Sequence, residues 1–329
     1  MALPLVLMTH PLPQDWVASL QDRVRLLVGP AEPHGFAPHL LEQLDETEGI
    51  MTMLIDEVDD ALLSRAPRLR VVSNYAVGYD NIDVPACTRR RIPVGNTPGV
   101  LTDATADLAM TLLLSCARGT VKAAMDARNG LWRAWTPTGW LGADLRGATL
   151  GIIGMGKIGR AVAERAKGFG LNIVYFKPQR DPETGSLLGA RYLPLDSLLR
   201  ESDFVSLHCP LTPQTRGLID EAALQKMKRT AILVNTSRGP IVVTGALVRA
   251  LQEGWIAGAG IDVTDPEPLP TGHPLYDLPN CLVVPHIGSA THGTRRRMAE
   301  MACENLLAGL DGRRLPNCVN REIYGEGTS

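Results

Sequence analysis

The chain has 329 residues, 45% of them hydrophobic and 21% charged, with a formal net charge of −2 at pH 7. That length suits about two domains, and the composition lies far from that of a disordered chain. The near-neutral charge argues against nucleic acid or an anionic membrane as the main partner, so the basic strings T-R-R-R at 88–91 and R-R-R at 295–297 read as solvated helix ends.

The six cysteines include no C-x-x-C and read as reduced, mostly structural thiols of a cytosolic protein. The seven histidines show no metal-ligand spacing, so no metal is expected. The apolar stretch near the N-terminus is strand-length and lacks the basic flank and cleavage site of a signal peptide. No run approaches the ~18 apolar residues of a membrane helix. A soluble, cytoplasmic location is the expectation.

Short apolar runs alternate with helix-length segments along almost the whole chain. P-L-V-L-M-T (4–9), G-I-M-T-M-L (49–54) and L-R-V-V-S-N-Y (69–75) read as strands, with helical stretches such as 13–22 and 57–65 between them. The third strand runs into A-V-G-Y-D-N, a glycine-containing loop at a strand end, where α/β sheets place ligands. After the turn N-T-P-G-V (96–100), Thr102 or Asp103 is expected to cap a helix that is apolar around most of its circumference. Such a helix needs more cover than one domain face supplies. The segment 129–147, with Trp132, Trp135 and Trp140, reads as irregular but packed.

A second α/β series starts at 148: A-T-L-G-I-I, a helix to about 168, N-I-V-Y-F, D-F-V-S-L-H (203–208), A-I-L-V-N-T (231–236), A-G-A-G-I-D-V (257–263) and C-L-V-V-P-H (281–286). Near-continuous apolar strands separated by helices imply a parallel sheet covered on both faces. A helix around 291–310 and a polar tail follow.

The turn G-M-G-K-I-G places Gly154, Gly156 and Gly159 between a strand and a helix. The first glycine permits the tight turn, the second lets a pyrophosphate approach the backbone, and the third allows close helix–strand packing. The amides near Lys157 and Ile158 then point at the phosphates, aided by the helix dipole. This context predicts dinucleotide binding.

Three further stretches carry a recognisable pattern: N-T-S-R-G (235–239), D-V-T-D-P-E-P-L-P (262–270) and P-H-I-G-S-A-T (285–291). Together with the glycine turn, V-G-Y-D-N-I-D and T-D-A-T-A-D-L-A, they resemble the D-isomer-specific 2-hydroxyacid dehydrogenase family along nearly the whole chain. Within it, glyoxylate/hydroxypyruvate reductases are most similar. The resemblance implies two Rossmann-like, doubly wound parallel-sheet domains with an active-site cleft between them. The dinucleotide-binding domain would span 99–287, and a discontinuous substrate-binding lid 1–98 plus 288–329. Hinge closure would exclude water and bring Val77 and Gly78 towards Arg238.

The family's catalytic trio maps onto Arg238, Glu267 and His286. Hydride arriving at a ketone carbon leaves an alkoxide that an imidazolium can protonate. Glu267 would orient His286 and favour its charged form. Arg238 would fix the substrate carboxylate and polarise the carbonyl through its fork of donors. Taken singly, each residue also suits a plainer role: Arg238 a phosphate or structural pair, Glu267 a solvated loop carboxylate, His286 a strand-end side chain bonded to a backbone carbonyl.

The resemblance also implies carboxylate binding by the backbone amides of Val77 and Gly78. Ser289 matches a position that can touch substrate, and it equally suits a cap for the next helix. Trp140 matches a tryptophan that reaches the neighbouring subunit's site, with register open among the three tryptophans and core packing as the alternative. Thr105, Pro210, Thr236 and Asp262 would contact the cofactor, Asp262 at the nicotinamide carboxamide, although a strand-end aspartate also caps turns. A homodimer is expected.

The stretch Y-F-K-P-Q-R bears on the cofactor. Lys177 lies 18 residues after Gly159, where NAD-preferring relatives carry an acid for the adenosine ribose. A cation there removes repulsion towards the 2′-phosphate of NADP, and Arg180 could supply a second; two solvated cations on a loop are the plainer reading. Pro178 stands where NADP users often carry arginine, which leaves dual use open.

The expected function is NADPH-preferring, NADH-capable reduction of a small 2-keto acid to the D-2-hydroxy acid. The alternatives are a reductase of another keto acid such as 2-ketogluconate, or a dinucleotide-sensing binding protein of co-repressor type.

Overall fold

The computed structural model describes residues 3–32, 35–180 and 182–325. Contacts divide the chain into two units, one running to Leu101 and resuming at Thr291, the other Thr102–Ala290.

The first unit is built on β1 (Leu5–Met8), β2 (Arg25–Val28), β3 (Thr47–Thr52), β4 (Val71–Asn74) and β5 (Val94–Gly95). They pair in the order β2-β1-β3-β4-β5, every pair parallel. Because side chains alternate along a strand, Leu5, Leu7, Ile50, Val72 and Val94 share a buried cluster with residues of α1 (Pro38–Leu41), α2 (Asp60–Ser64) and α3 (Val84–Arg89). The opposite face takes the C-terminal helix His292–Leu310, docked by Ser73 Oγ on Ala302 O at 2.8 Å and Tyr75 Oη on Arg295 O at 2.8 Å. Asp59, Asp83 and Thr291 cap α2, α3 and the C-terminal helix through their side chains, each cap contributing about 1 kcal/mol.

Two expectations fail here, and one strand was not expected. The stretch 13–22 is not an α-helix but two single turns of 3-10 helix, Gln14–Trp16 and Ala18–Leu20. Pro13 precedes the first turn, Val17 breaks the run at φ −113, and Asp22 ends it at φ 57. The second expected helix, 57–65, shrinks to Asp60–Ser64. The edge strand β2 went unread, because four residues with one exposed and three half-buried carry little pattern.

The second unit holds α4 (Thr102–Arg118), α5 (Thr120–Arg128), β6 (Thr149–Ile153), α6 (Lys157–Gly168), β7 (Asn172–Phe176), α7 (Pro182–Leu188), β8 (Arg191–Tyr192), α8 (Leu195–Glu201), β9 (Phe204–Leu207), α9 (Glu221–Lys226), β10 (Ile232–Asn235), α10 (Thr244–Gln252), β11 (Gly258–Ile261), α11 (Pro274–Asp277) and β12 (Cys281–Val283). Its seven strands lie in the order β12-β11-β10-β9-β6-β7-β8, all parallel. Alternation again sorts the core: Val205, Leu207, Leu233 and Ile261 join one buried cluster, Phe204, Ile232 and Val234 the other. The order reverses between β6 and β9, the switch point at which open α/β sheets bind ligands.

Helix α4 is covered within its own unit, with Ala106, Ala109, Leu112 and Leu113 buried against residues of α6, β6 and β10. Its close seat on β11 depends on Gly260, where a Cβ would stand 3.0 Å from Leu112 Cβ. The buried side of this helix thus finds its cover within its own unit, while Leu108 and Leu114 stay half-buried. Nor does Thr102 or Asp103 precede the helix: both lie inside its first turn, where Asp103 complements the helix dipole.

The three tryptophans of 129–147 are not packed. Trp132, Trp135 and Trp140 are 65%, 82% and 41% exposed, beside the exposed Val121, Met125, Leu131 and Leu141. All six cysteines are free. Among the described residues no single helix is long and apolar enough to cross a membrane.

Candidate active site

The glycine turn sits at the end of β6. Gly154 has φ +100, and a Cβ there would lie 2.4 Å from Cys209 N and 2.5 Å from His208 C, so the ends of β6 and β9 touch through it. Gly159 packs α6 onto the turn, its Cβ position only 2.2 Å from Gly154 O. Gly156 differs: it precedes α6 in extended conformation, is exposed, and a Cβ would meet nothing within 4 Å. Lys157 is exposed and Ile158 half-buried in the helix's first turn, whose amides lack intrahelical partners.

Lys177 follows β7 directly and is half-buried, while Arg180 is exposed. Gly154 N donates to Phe176 O at 2.9 Å, which sets the start of Y-F-K-P-Q-R beside the glycine turn. Across the switch, His208 is half-buried, with Nε2 2.8 Å from Ser206 Oγ. Burial pushes its ring down to about 4, so it stays neutral and donates no proton at neutral pH. Sequence reasoning passed over this histidine and singled out only Pro210, two residues on. Pro210 is exposed and its carbonyl accepts from Thr215 Oγ1 at 2.6 Å.

Beyond β10, Asn235 shapes the turn carrying Arg238: its Nδ2 donates to Arg238 O at 2.9 Å, and its Oδ1 accepts from Ser237 N at 3.0 Å. Ser237 Oγ donates to Cys209 O. Thr236 is buried, with a hydroxyl that finds no partner among the described residues. Arg238 is half-buried, and its Nη1 donates to Ser237 O at 2.9 Å. Gly239 lets this turn abut the next loop, since a Cβ would stand 1.9 Å from Thr264 O.

That next loop follows β11 and carries Glu267. Its Oε2 accepts from Thr264 N at 3.1 Å, and its Oε1 meets His286 Nδ1 at 2.5 Å. Burial raises the Glu267 carboxyl, but the bond and charge of His286, the Thr264 amide and the Arg238 charge outweigh it, holding the group below the ordinary carboxylate range. His286 lies just beyond β12 at φ +52, a left-handed conformation uncommon for a non-glycine residue and frequent at functional sites. Its amide, donating to Asp262 O at 2.9 Å and Val284 O at 3.1 Å, holds it there.

Asp262 is buried, and its two carboxylate oxygens accept from Ile287 N at 2.6 Å and Gly288 N at 2.9 Å. It caps the turn after His286, the plainer of its two expected roles. Burial raises its pKa, opposed by these amide bonds and by the charge of His286. Thr105 of α4 ties down the same turn through Oγ1 on Gly288 O at 3.2 Å. Ser289 is half-buried and does not cap the C-terminal helix, a role taken by Thr291. Trp140 has φ +50 and donates Nε1 to Asp126 Oδ2 at 2.9 Å, tethering it to α5. Val77 and Gly78, on the loop after β4 in the first unit, are half-buried. The second unit thus brings Arg238, Glu267 and His286 to neighbouring strand-end loops.

The model of the D-isomer specific 2-hydroxyacid dehydrogenase NAD-binding domain matches residues 110–288. The chain belongs to that family. A glyoxylate reductase of Korarchaeum cryptofilum is 49% identical over 321 residues, 97% of each chain. A solved protein of Thermus thermophilus superposes with a TM-score of 0.89 at 49% identity, over 96% of this chain and 99% of that one. The NADPH-dependent glyoxylate/hydroxypyruvate reductase of Sinorhizobium meliloti, solved with NADP and malonate, gives a TM-score of 0.86 at 31% identity, over 96% of each chain. As a family member the protein is a two-sheet α/β dehydrogenase.

Proposed function

We propose that this dehydrogenase reduces glyoxylate or hydroxypyruvate to the D-2-hydroxy acid, preferring NADPH and accepting NADH. The 2.5 Å bond between Glu267 and His286 carries the reading, because it gives a strand-end imidazole the partner that a proton donor needs. The names of the Korarchaeum and Sinorhizobium relatives support the substrate class.

The residues present fit a nicotinamide dinucleotide. Gly156 leaves the approach to the first amides of α6 open, and the Thr236 hydroxyl is an orphaned donor beside the switch point. Gly154, Gly156, Lys157, Ile158 and Gly159 would hold the pyrophosphate, with Thr105, Pro210, Thr236 and Asp262 along the rest of the molecule. Lys177 and Arg180 would receive the 2′-phosphate. The bound nicotinamide supplies the hydride.

Arg238 grips the substrate carboxylate and polarises the carbonyl. With Nδ1 held by Glu267, His286 presents Nε2 and gives its proton to the alkoxide oxygen, leaving a neutral ring whose Nδ1–H still bonds the carboxylate. The amides of Val77 and Gly78 supply further donors to the carboxylate, and Ser289 and Trp140 border the substrate. The exposed apolar surface around Trp132 and Trp135 suits a homodimer contact. The test is a matrix of 2-keto acids against NADH and NADPH, read as kcat/KM. Turnover highest on glyoxylate or hydroxypyruvate with NADPH is expected; no turnover of any keto acid with either cofactor refutes the proposal.

A further inference from the structure

Three successive carbonyls in the loop after β4 are each held by a donor of the first unit. Ala76 O accepts from Thr97 N at 2.9 Å, Val77 O from Asn96 Nδ2 at 2.8 Å, and Gly78 O from Asn74 Nδ2 at 2.8 Å. The amides of Val77 and Gly78 find no acceptor among the described residues. These peptide bonds are trans, and in a planar trans peptide the C=O and N–H point in opposite directions. Fixing Ala76 O therefore aims the Val77 N–H, and fixing Val77 O aims the Gly78 N–H.

The two asparagines are themselves anchored. Asn74 is fully buried; its Oδ1 accepts from Thr52 Oγ1 at 2.9 Å, and its Nδ2 also reaches Asn81 Oδ1 at 3.2 Å. Asn81 in turn donates to Met53 O at 3.0 Å and Asp56 O at 2.8 Å. The main chain of Asn96 is held by the buried Asn305, which donates Nδ2 to Asn96 O at 3.0 Å. At Asn74 a carboxamide serves because it offers a donor to the loop and an acceptor to its own support without carrying charge.

We propose that Asn96 and Asn74 are positioning residues for substrate recognition: Asn96 aims the Gly78 amide and Asn74 holds the peptide after it, so that the loop carrying the Val77 and Gly78 amides faces the keto-acid carboxylate, which neither asparagine touches. This rests on the reductase reading above. Asn96 sets the Gly78 amide directly, and Asn74 locks the following peptide so that the loop cannot rotate.

The test is Asn96→Leu, similar in size and lacking the donor, with Asn96→Gln as the variant that keeps it. Two aldehydes are compared, glyoxylate and glyoxal, the second lacking the carboxylate. Asn96→Leu should raise the KM for glyoxylate roughly tenfold, the scale of one lost hydrogen bond. Its kcat, its NADPH affinity and its kcat/KM for glyoxal should stay at wild-type values, and Asn96→Gln should recover part of the KM. Equal losses on both aldehydes, or an unchanged KM for glyoxylate, overturn the inference while leaving the reductase reading intact. A wild-type protein that reduces no keto acid with either cofactor overturns that reading and the inference with it.

Discussion

Replacing Glu267 with glutamine removes the charge beside His286 and keeps the size of the side chain. In the native pair Nδ1 and Oε1 are 2.5 Å apart, with 24% and 28% of the two side chains exposed. That places the contact between a solvated surface bridge and a buried one. A hydrogen bond to a charged group contributes about 1.5–3 kcal/mol, so loss of the pairing should show as a displaced pH profile of activity. The direction follows from the chemistry. Reduction needs the imidazolium and fades as pH rises; without the carboxylate the cation loses its partner, and this alkaline limb moves to lower pH. Oxidation of the hydroxy acid needs the neutral ring, so its acidic limb moves the same way and the variant gains relative activity at low pH. Glutamine has one oxygen for two donors, His286 and the Thr264 amide, so an additional loss in kcat that does not vary with pH is expected. The assay is kcat/KM against pH in both directions. Profiles that fall in height without moving would refute an electrostatic role for Glu267.

Lys177→Asp should turn preference from NADPH towards NADH by roughly tenfold or more in the ratio of kcat/KM values, about 1.4 kcal/mol; an unchanged ratio would mean that the lysine takes no part in the 2′-phosphate site. Gly159→Ala forces a methyl to within 2.2 Å of Gly154 O, so α6 must shift, with a stability loss of about 1–3 kcal/mol and weaker cofactor binding by calorimetry. Wild-type melting and affinity together would show that the turn yields freely. Trp132→Ser combined with Trp135→Ser should halve the mass seen by sedimentation; a wild type that sediments as a monomer would end the dimer proposal.

Much of the second unit was legible because a parallel sheet covered on both faces writes its strands as unbroken apolar runs. All seven strands except the two-residue β8 stand where such runs stand. The glycine turn was legible for a related reason, since each glycine answers a separate steric demand. What escaped notice has the opposite character. Q-D-W-V-A-S-L has the apolar spacing of a helix, yet a proline before it and a left-handed aspartate after it leave only single turns. Asn74 and Asn96 are spelled like any surface asparagine; their role lies in which carbonyls the tertiary fold sets opposite them. The tryptophans of 129–147 were read as packed because an aromatic letter records a need for cover and not which surface provides it. Asp262 shows the same limit: sequence left two roles open, and the amides of Ile287 and Gly288 display one.

The contact at Gly239 has a practical consequence. The turn bearing Arg238 and the loop bearing Glu267 meet main chain to main chain, closer than any side chain would allow. Their spacing is thus set by the scaffold before either functional side chain is chosen. The main-chain contact itself uses neither the Arg238 nor the Glu267 side chain, so the same frame offers a designer two adjacent positions on which to write a different reaction.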